Sequence, residues 1–214
     1  MINRRTFVAL ASAAVLAPAL AFAEAPKGRI ETLARLDPRN DREPRVRIWV
    51  PPGYENSGRS YRTLYMLDGQ FVFASDSDGE NFGADSRIER LAAAGLIQPA
   101  LIVAIDNLEG DRFLQYMPQA IYDWTEGDLR AAIDREIART GGRPPVSAQF
   151  IHFLTTQLKP FVDAHYRTSP GRLETAIFGA SMAGVMAGAI FVEGQQAFGR
   201  AACMSPNWPI YDKR

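Results

Sequence analysis

The sequence has few of the residues that build disulfides and metal sites: one cysteine and two histidines among 214 residues. Cys203 has no second cysteine with which to form an intramolecular disulfide, and together with His152 and His165 it does not supply a Cys/His zinc site. The sequence also lacks an excess of either charge, since 24 Lys and Arg balance 24 Asp and Glu. A chain without a basic surplus has little attraction for phosphates or anionic lipids. We therefore expect no nucleic-acid partner, no metal site and no disulfide framework.

The remaining composition is that of an ordinary globular protein, with 47% hydrophobic and 22% charged residues. These fractions exclude a disordered or collagen-like chain and supply enough apolar side chains for a core. Neither repeats nor low-complexity tracts interrupt the sequence, and its length fits a single domain.

Residues 1–23 have the pattern of a bacterial export signal. Arg4 and Arg5 precede a short apolar run, and small residues around Ala23 provide a cleavage site. The apolar run is too short to span a bilayer as a stable helix. The paired arginines favour the twin-arginine route, and a general secretory signal is the alternative. We expect a mature domain over residues 24–214 that is periplasmic or secreted and has no stable insertion in the membrane.

Short runs of β-branched and aromatic residues alternate with helical patterns along the rest of the chain. This alternation is typical of an α/β fold around a mostly parallel sheet. Turn-forming residues at 37–41 predict that the first two strands are antiparallel. The fourth and fifth strands are almost wholly apolar, so we expect them at the centre of the sheet. The predicted strands are Arg29–Arg35, Arg45–Val50, Thr63–Leu67, Leu101–Asp106, Thr175–Phe178 and Ala201–Met204.

Four helices are predicted from apolar periodicity and capping patterns. One spans Ser86–Ala94 and ends at Gly95. The second opens with a capping box, Asp123-x-x-Glu126, and continues to about residue 140. The others are a helix over Val146–His165 that Pro160 should kink and a helix that begins just after Ser181.

The segment 175–186 carries the clearest chemical signal, because an apolar strand runs through a turn of small residues directly into a helix. Ser181 lies at the corner, in a G-x-S-x-G pattern in which Ala183 replaces the last glycine. This is the nucleophile-elbow pattern, whose strained turn exposes the serine hydroxyl and requires small neighbours such as Gly179. The Met182 amide, in the first turn of the helix, is a candidate oxyanion-hole donor. The alternative is that Ser181 is only a helix N-cap.

Several further motifs resemble those of an esterase branch of the α/β-hydrolases, which includes enterochelin-type, esterase D-like and feruloyl esterases and mycolyltransferases. The matching stretches are residues 47–54, 64–70, 105–107, 153–168, the elbow and residues 198–206. The resemblance implies a three-layer αβα hydrolase fold with an antiparallel start to its sheet. It also implies a serine esterase that hydrolyses a small-molecule carboxylic ester through an acyl-enzyme on Ser181 and needs no cofactor.

The turn that follows the third strand is the second part of the site that the resemblance implies. In the family, this turn lends a backbone N–H to the oxyanion hole, which here would come from Gln70 or Phe71. The residues agree, since an Asp-Gly pair after a strand makes a tight turn whose amides can face a ligand. A plain β-turn without a catalytic role is the alternative.

The sequence departs from the family at the catalytic acid and base. The family's triad runs in the order Ser, Asp or Glu, His, but both histidines precede Ser181 and occupy helical positions that favour structural roles. We therefore expect the acid and the histidine beyond Arg214, a domain that lacks the last strands and helices of the fold, and an almost inert 214-residue chain. The substrate would be a siderophore, feruloyl or simple acyl ester. The alternatives are an acyltransferase and a non-catalytic relic or binding module.

An acidic stretch, Asp76, Asp78, Glu80 and Asp85, precedes the first predicted helix. It lacks the spacing of an EF-hand, so a solvated loop is favoured over a calcium site.

Overall fold

The computed structural model describes residues 27–76 and 80–206. The predicted export signal, residues 1–23, lies outside the described residues. Within those two ranges, no helix is long and apolar enough to cross a membrane.

The described strands form one mixed sheet in the order β1-β2-β4-β3-β5-β6. β1 pairs antiparallel with β2, and β2 pairs antiparallel with β4, while β4, β3, β5 and β6 are mutually parallel. The antiparallel start and the parallel remainder confirm the prediction from sequence. The strands are β1 (Arg29–Thr32), β2 (Val46–Val50), β3 (Arg62–Leu67), β4 (Ala100–Ile105), β5 (Thr175–Ala180) and β6 (Arg200–Met204).

Two strand boundaries differ from the predicted ones by more than one residue, for reasons of pairing. β1 ends at Thr32 rather than at residue 35, because the chain then turns and Glu43 accepts the N–H groups of Leu36 and Asp37 at 2.6 and 2.9 Å. β5 continues beyond residue 178 to Ala180, since its last residues pair with β6. This extension carries β5 directly to the turn at residue 181.

The helices lie between and around these strands. They are α1 (Ala84–Ala93), α2 (Arg112–Tyr116), α3 (Gln119–Trp124), α4 (Gly127–Arg139), α5 (Ser147–His152), α6 (Lys159–His165) and α7 (Met182–Glu193). Short 3-10 turns occupy Gly69–Phe71 and Arg172–Glu174, and a π-helical turn over Phe153–Leu158 joins α5 to α6. This π-helical turn ends two residues before Pro160, whose missing N–H removes one helical hydrogen bond, so the helix predicted over residues 146–165 is not a continuous α-helix.

The predicted capping box at Asp123 and Glu126 is wrong. Asp123 lies inside α3, where its carboxylate accepts a hydrogen bond from Gln119 at 2.7 Å. Glu126 precedes α4 but makes no side-chain cap. Gly127, at φ 62°, allows the chain to turn between the two helices. One helix therefore ends and another begins where the pattern predicted the start of a single helix.

Helices cover both faces of the sheet, as expected for a three-layer fold. One face, with Tyr65 and Leu67 of β3, packs against α2 and α4–α7 to form the larger core. The opposite face, with Trp49 and Met66, packs against α1. β4 lies inside the sheet and is fully buried from residue 101 to residue 105, as its apolar sequence predicted. β6 forms an edge of the described sheet.

Candidate active site

Ser181 occupies a strained turn between β5 and α7, with φ 57° and ψ −122°. Non-glycine residues rarely adopt this conformation, and it persists only where surrounding contacts enforce it. Here the Ser181 N–H donates to the carbonyl oxygen of Met204 at 2.9 Å. The Ser181 carbonyl accepts the N–H groups of Gly184 and Val185 at 3.0 and 3.3 Å. The backbone on both sides therefore holds the serine at the corner.

The side chain of this serine is exposed and lines a cavity of about 450 Å³. Its hydroxyl makes no capping bond to α7, so the helix N-cap alternative is not what the structure shows. An exposed hydroxyl on a strained strand-to-helix turn, with no hydrogen-bond partner among the described residues, has the geometry required of a nucleophile.

The two small residues of the elbow bring β5 and α7 into backbone contact. A Cβ atom added to Gly179 would overlap the carbonyl group of Ala183, which belongs to the rigid helix backbone. Ala183 is itself fully buried, so its methyl group fits where the family pattern has a glycine. The turn thus depends on the absence of a side chain at position 179.

Met182 is the first residue of α7, so no preceding turn of helix accepts its N–H. The carbonyl group of the same peptide belongs to Ser181 and accepts the N–H groups of Gly184 and Val185. The Met182 N–H has no acceptor among the described residues, and it lies at the positive end of the helix dipole, where a developing negative charge is stabilised.

The turn after β3 distinguishes the two residues proposed as the second donor. The Phe71 N–H donates to the carbonyl oxygen of Asp68 at 2.9 Å and is therefore already occupied. The Gln70 N–H has no acceptor in the described part of the chain. Gly69 permits this tight turn, because a Cβ atom there would lie 2.6 Å from the backbone nitrogen of Asp106.

A polar network holds Asp68, which adopts a left-handed conformation at φ 55°. Arg112 binds its carboxylate with two nitrogens, Nε at 2.8 Å and Nη2 at 2.7 Å, and Asn107 donates to it at 2.7 Å. The hydroxyl of Tyr116 accepts the Asp68 N–H at 3.0 Å. The hydrogen bonds that Arg112 donates to Asp68 raise the pKa of its guanidinium, and burial raises the pKa of Tyr116, so the guanidinium keeps its charge and the phenol its proton.

Sequence reasoning missed this network because it did not predict α2. The available signal was the spacing of Arg112 and Tyr116, which lie four residues apart and so share one face of a helix. Nothing local indicates that this face contacts a residue 44 positions earlier in the chain.

The cavity brings the elbow and the turn after β3 together. It is lined by Asp68, Phe71, Glu80, Asn81, Phe82, Arg112, Ala180 and Ser181. Neither Gln70 nor Met182 is among the lining residues: the Gln70 amide oxygen accepts the Asn107 N–H, and the Met182 side chain is buried. Their contribution would therefore be through the backbone.

Neither histidine lies in this cavity. His152 is exposed on α5, and His165 bonds through Nδ1 to the carbonyl oxygen of Phe161 and stacks on that ring with centroids 4.0 Å apart. The described residues contain no cluster of three or more His, Cys, Asp and Glu side chains that could hold a metal.

The acidic stretch is not the solvated loop that we expected. The carboxylate of Asp76 is 6% exposed and pairs with Arg47, and Asp85 accepts the Ala74 N–H at 2.9 Å. Asp78 lies outside the described residues. Asp76 and Asp85 therefore fasten the segment that follows the 3-10 turn, while Glu80 is exposed.

Strand order, an antiparallel second strand and a serine at the turn after the fifth strand define the α/β-hydrolase class of fold. Within that class, residues 38–211 match the model of the Esterase family, described as “Putative esterase”. The chain belongs to this family. No curated protein matches the chain.

Solved structures share the fold at low sequence identity. An IroE-like serine hydrolase from Shewanella oneidensis has a TM-score of 0.61 and 19% identity over 84% of this chain. An enterochelin esterase from Shigella flexneri has a TM-score of 0.59 and 16% identity over 88%. A ferulic acid esterase from Anaeromyces mucronatus has a TM-score of 0.53 and 19% identity over 87%. The present chain spans 51%, 40% and 61% of those three proteins, respectively.

Proposed function

We propose that the protein is an exported serine esterase that hydrolyses a carboxylic ester through an acyl-enzyme on Ser181. The observation that carries the proposal is the exposed hydroxyl on a strained strand-to-helix turn that opens into a cavity. Membership of the Esterase family supports the reaction class. Export rests on the signal pattern of residues 1–23, and residues 24–214 would form the mature domain.

In this proposal, the N–H groups of Met182 and Gln70 bind the oxyanion that forms when Ser181 attacks the ester carbonyl. Both amides are free of intramolecular acceptors among the described residues, whereas the Phe71 amide is occupied. Donors fixed before the reaction stabilise the developing charge without reorganisation, which is usually the largest electrostatic contribution to acyl transfer.

Neither histidine of this chain is placed to act as the catalytic base for Ser181. A serine hydroxyl needs an adjacent base to act as a nucleophile, and both histidines lie away from the Ser181 cavity. The base and its acidic partner would come from residues outside the 214-residue sequence. The chain by itself would then retain only binding and oxyanion stabilisation.

The cavity favours an ester whose acyl group is aromatic. Phe71 is 42% exposed in its wall, Phe82 lines it as well, and the partly exposed guanidinium of Arg112 adds a donor for a polar ring substituent. Feruloyl and catechol-type siderophore acyl groups have this chemistry, and the ferulic acid and enterochelin esterases named above share the fold. Simple acyl esters are the remaining class.

A site of this kind also supports acyl transfer to an alcohol other than water. Product analysis in the presence of an added sugar or alcohol distinguishes the two reactions, because a transferase forms a new ester while a hydrolase releases the acid. A non-catalytic relic would form neither product.

The proposal is tested by covalent labelling of the protein expressed from its complete reading frame. We expect a serine-directed fluorophosphonate to modify Ser181 and to leave Ser205, the other exposed serine next to the turn, unmodified. Trypsin cleaves after Arg172 and Arg200, so the two serines fall in different peptides and mass spectrometry separates them. An adduct on another residue, or no adduct, would overturn the proposal.

The role of the Gln70 amide is tested by a pair of substitutions. Gln70→Pro removes the N–H and should lower kcat by about 100-fold or more, the usual effect of losing one oxyanion-hole donor. Gln70→Ala removes the side chain that accepts the Asn107 N–H but keeps the donor, so its kcat should stay within about threefold of the wild type. Equal losses in the two variants would assign the effect to the side chain and contradict the proposed donor.

A further inference from the structure

We infer that Arg47 is a positioning residue, whose buried guanidinium fixes the Gly69–Gln70 peptide so that the Gln70 N–H is directed toward the oxyanion. The inference rests on the proposed function and extends it to a strand outside the elbow and outside the cavity wall. It follows from one hydrogen bond and from the planarity of the peptide group.

Arg47 is a charged residue in a strand that is otherwise apolar. Its neighbours along β2 are Val46, Ile48, Trp49 and Val50, and Arg47 itself is only 8% exposed. Burying a guanidinium is costly unless it is paired, and an apolar residue usually serves stability at least as well in such a place. The position of the charge therefore needs another reason.

The contacts of the guanidinium supply that reason. Its Nη2 donates to the carbonyl oxygen of Gly69 at 2.6 Å, and the Asp76 carboxylate binds Nη1 and, at 3.0 Å, Nη2. The guanidinium also lies over the ring of Phe73, 5.0 Å from its centroid. Arg47 thus contacts both ends of the segment 69–76, Gly69 in the 3-10 turn and Asp76 at the other end.

The pairing leaves two buried polar atoms of the described residues without hydrogen bonds. The Nε atom of Arg47 and the Oδ1 atom of Asp106 are both buried without a hydrogen-bond partner in the described part of the chain. The Nη2 atom of Arg47 lies 3.7 Å from the Oδ1 atom of Asp106. The geometry favours the Gly69 carbonyl and Asp76 over this second carboxylate.

The consequence for the active site comes from the peptide that links Gly69 to Gln70. None of the described peptide bonds is cis, and in a trans peptide the C=O and the N–H point in opposite directions. The Gly69 carbonyl is held by Arg47 and by the Val72 N–H at 3.1 Å. The Gln70 N–H must therefore point away from Arg47. The residues on either side of this peptide, Asp68 and Phe71, line the Ser181 cavity.

The first donor is held in the same way. The Met182 N–H belongs to a peptide whose carbonyl, that of Ser181, accepts two N–H groups from α7. In each case hydrogen bonds fix the carbonyl of a planar peptide group and thereby orient the N–H on the opposite side of the same peptide. At Met182 the helix provides the partners, while at Gln70 a side chain from another strand must provide one.

The inference is tested with Arg47→Met and Arg47→Lys in the protein expressed from its complete reading frame. Misplacing a donor by about 1 Å costs on the order of 100-fold in rate, so Arg47→Met should lower kcat and the rate of phosphonate labelling by about 10- to 100-fold. KM should change less than about threefold, since the side chain does not line the cavity. Arg47→Lys should be intermediate, because one ammonium cannot serve both acceptors as a planar fork does.

Arg45→Met is the matched control. Arg45 precedes β2 and bonds Asp106 at 2.7 Å, but its side chain is 55% exposed and does not touch the Gly69 carbonyl. We expect its kcat to remain within about twofold of the wild type. Thermal unfolding of each variant separates a loss of rate in a folded protein from a loss of folded protein.

A folded Arg47→Lys or Arg47→Met protein with the wild-type kcat would overturn the inference while Ser181 labelling still supports the proposed function. If the Arg47 variants do not fold, a crystal structure of the phosphonylated wild type decides the matter. We expect the Gln70 nitrogen within 3.2 Å of the phosphoryl oxygen. A Gln70 N–H directed elsewhere would overturn the inference, and the absence of an adduct on Ser181 would remove both the proposed function and the inference.

Discussion

Replacing Ser181 with alanine is expected to abolish ester hydrolysis by the full-length protein, with a fall in kcat of about 10,000-fold or more. The substitution removes only the oxygen that would form the acyl-enzyme. What remains is binding and oxyanion stabilisation, which accelerate hydrolysis far less than the complete site does.

The structure predicts that this loss occurs without a loss of stability. The Ser181 hydroxyl makes no capping bond, and the backbone contacts of the turn involve only main-chain atoms and are unchanged in the variant. The midpoint of thermal unfolding should therefore move by no more than about 2 °C.

Ser147→Ala provides the control for this substitution. It deletes the same atom from a serine that is fully buried in α5 and whose hydroxyl has no partner in the described part of the chain. We expect full activity in this variant. If Ser181→Ala hydrolysed esters at the rate of Ser147→Ala, the nucleophile would be another residue.

Replacing Gly179 with alanine is expected to destabilise the protein by about 3 kcal/mol, at the upper end of the range for overpacking. The added Cβ atom would overlap the carbonyl group of Ala183, and a helix backbone cannot rotate aside as a long side chain can. Relief requires that β5 and α7 separate. Since Ser181 lies on the turn between them, kcat should fall along with the free energy of unfolding.

Gly171→Ala is the matched control, because a Cβ atom at Gly171 meets no atom within 4 Å and its φ is −60°. We expect a change within about 0.5 kcal/mol, as for ordinary surface substitutions. Urea unfolding of the two variants measures the difference. A Gly179→Ala protein as stable as the Gly171→Ala protein would mean that the strand and the helix are not in the close contact described.

The elbow could be predicted from the sequence because each of its requirements is local. An apolar strand, small residues at positions 179 and 183, and a helix with a serine at its start all lie within twelve consecutive residues. The antiparallel start of the sheet was predictable for the same reason, since turn residues link β1 directly to β2. Local patterns failed where two helices meet. The residues from Asp123 to Glu126 match a capping box, but the same residues contain the end of α3 and precede the start of α4.

The sequence alone determined that Ser181 occupies the corner, since a strained turn between a strand and a helix needs small neighbours, whereas the turn after β3 was placed beside it by the resemblance to the family. Only the tertiary structure decided which amide of that turn is free and what holds it. Arg47 reaches a carbonyl 22 residues away, and Arg112 reaches a carboxylate 44 residues away. A hydrogen bond between distant segments depends on the path of the whole backbone, and neither arginine carries a local pattern that specifies its acceptor.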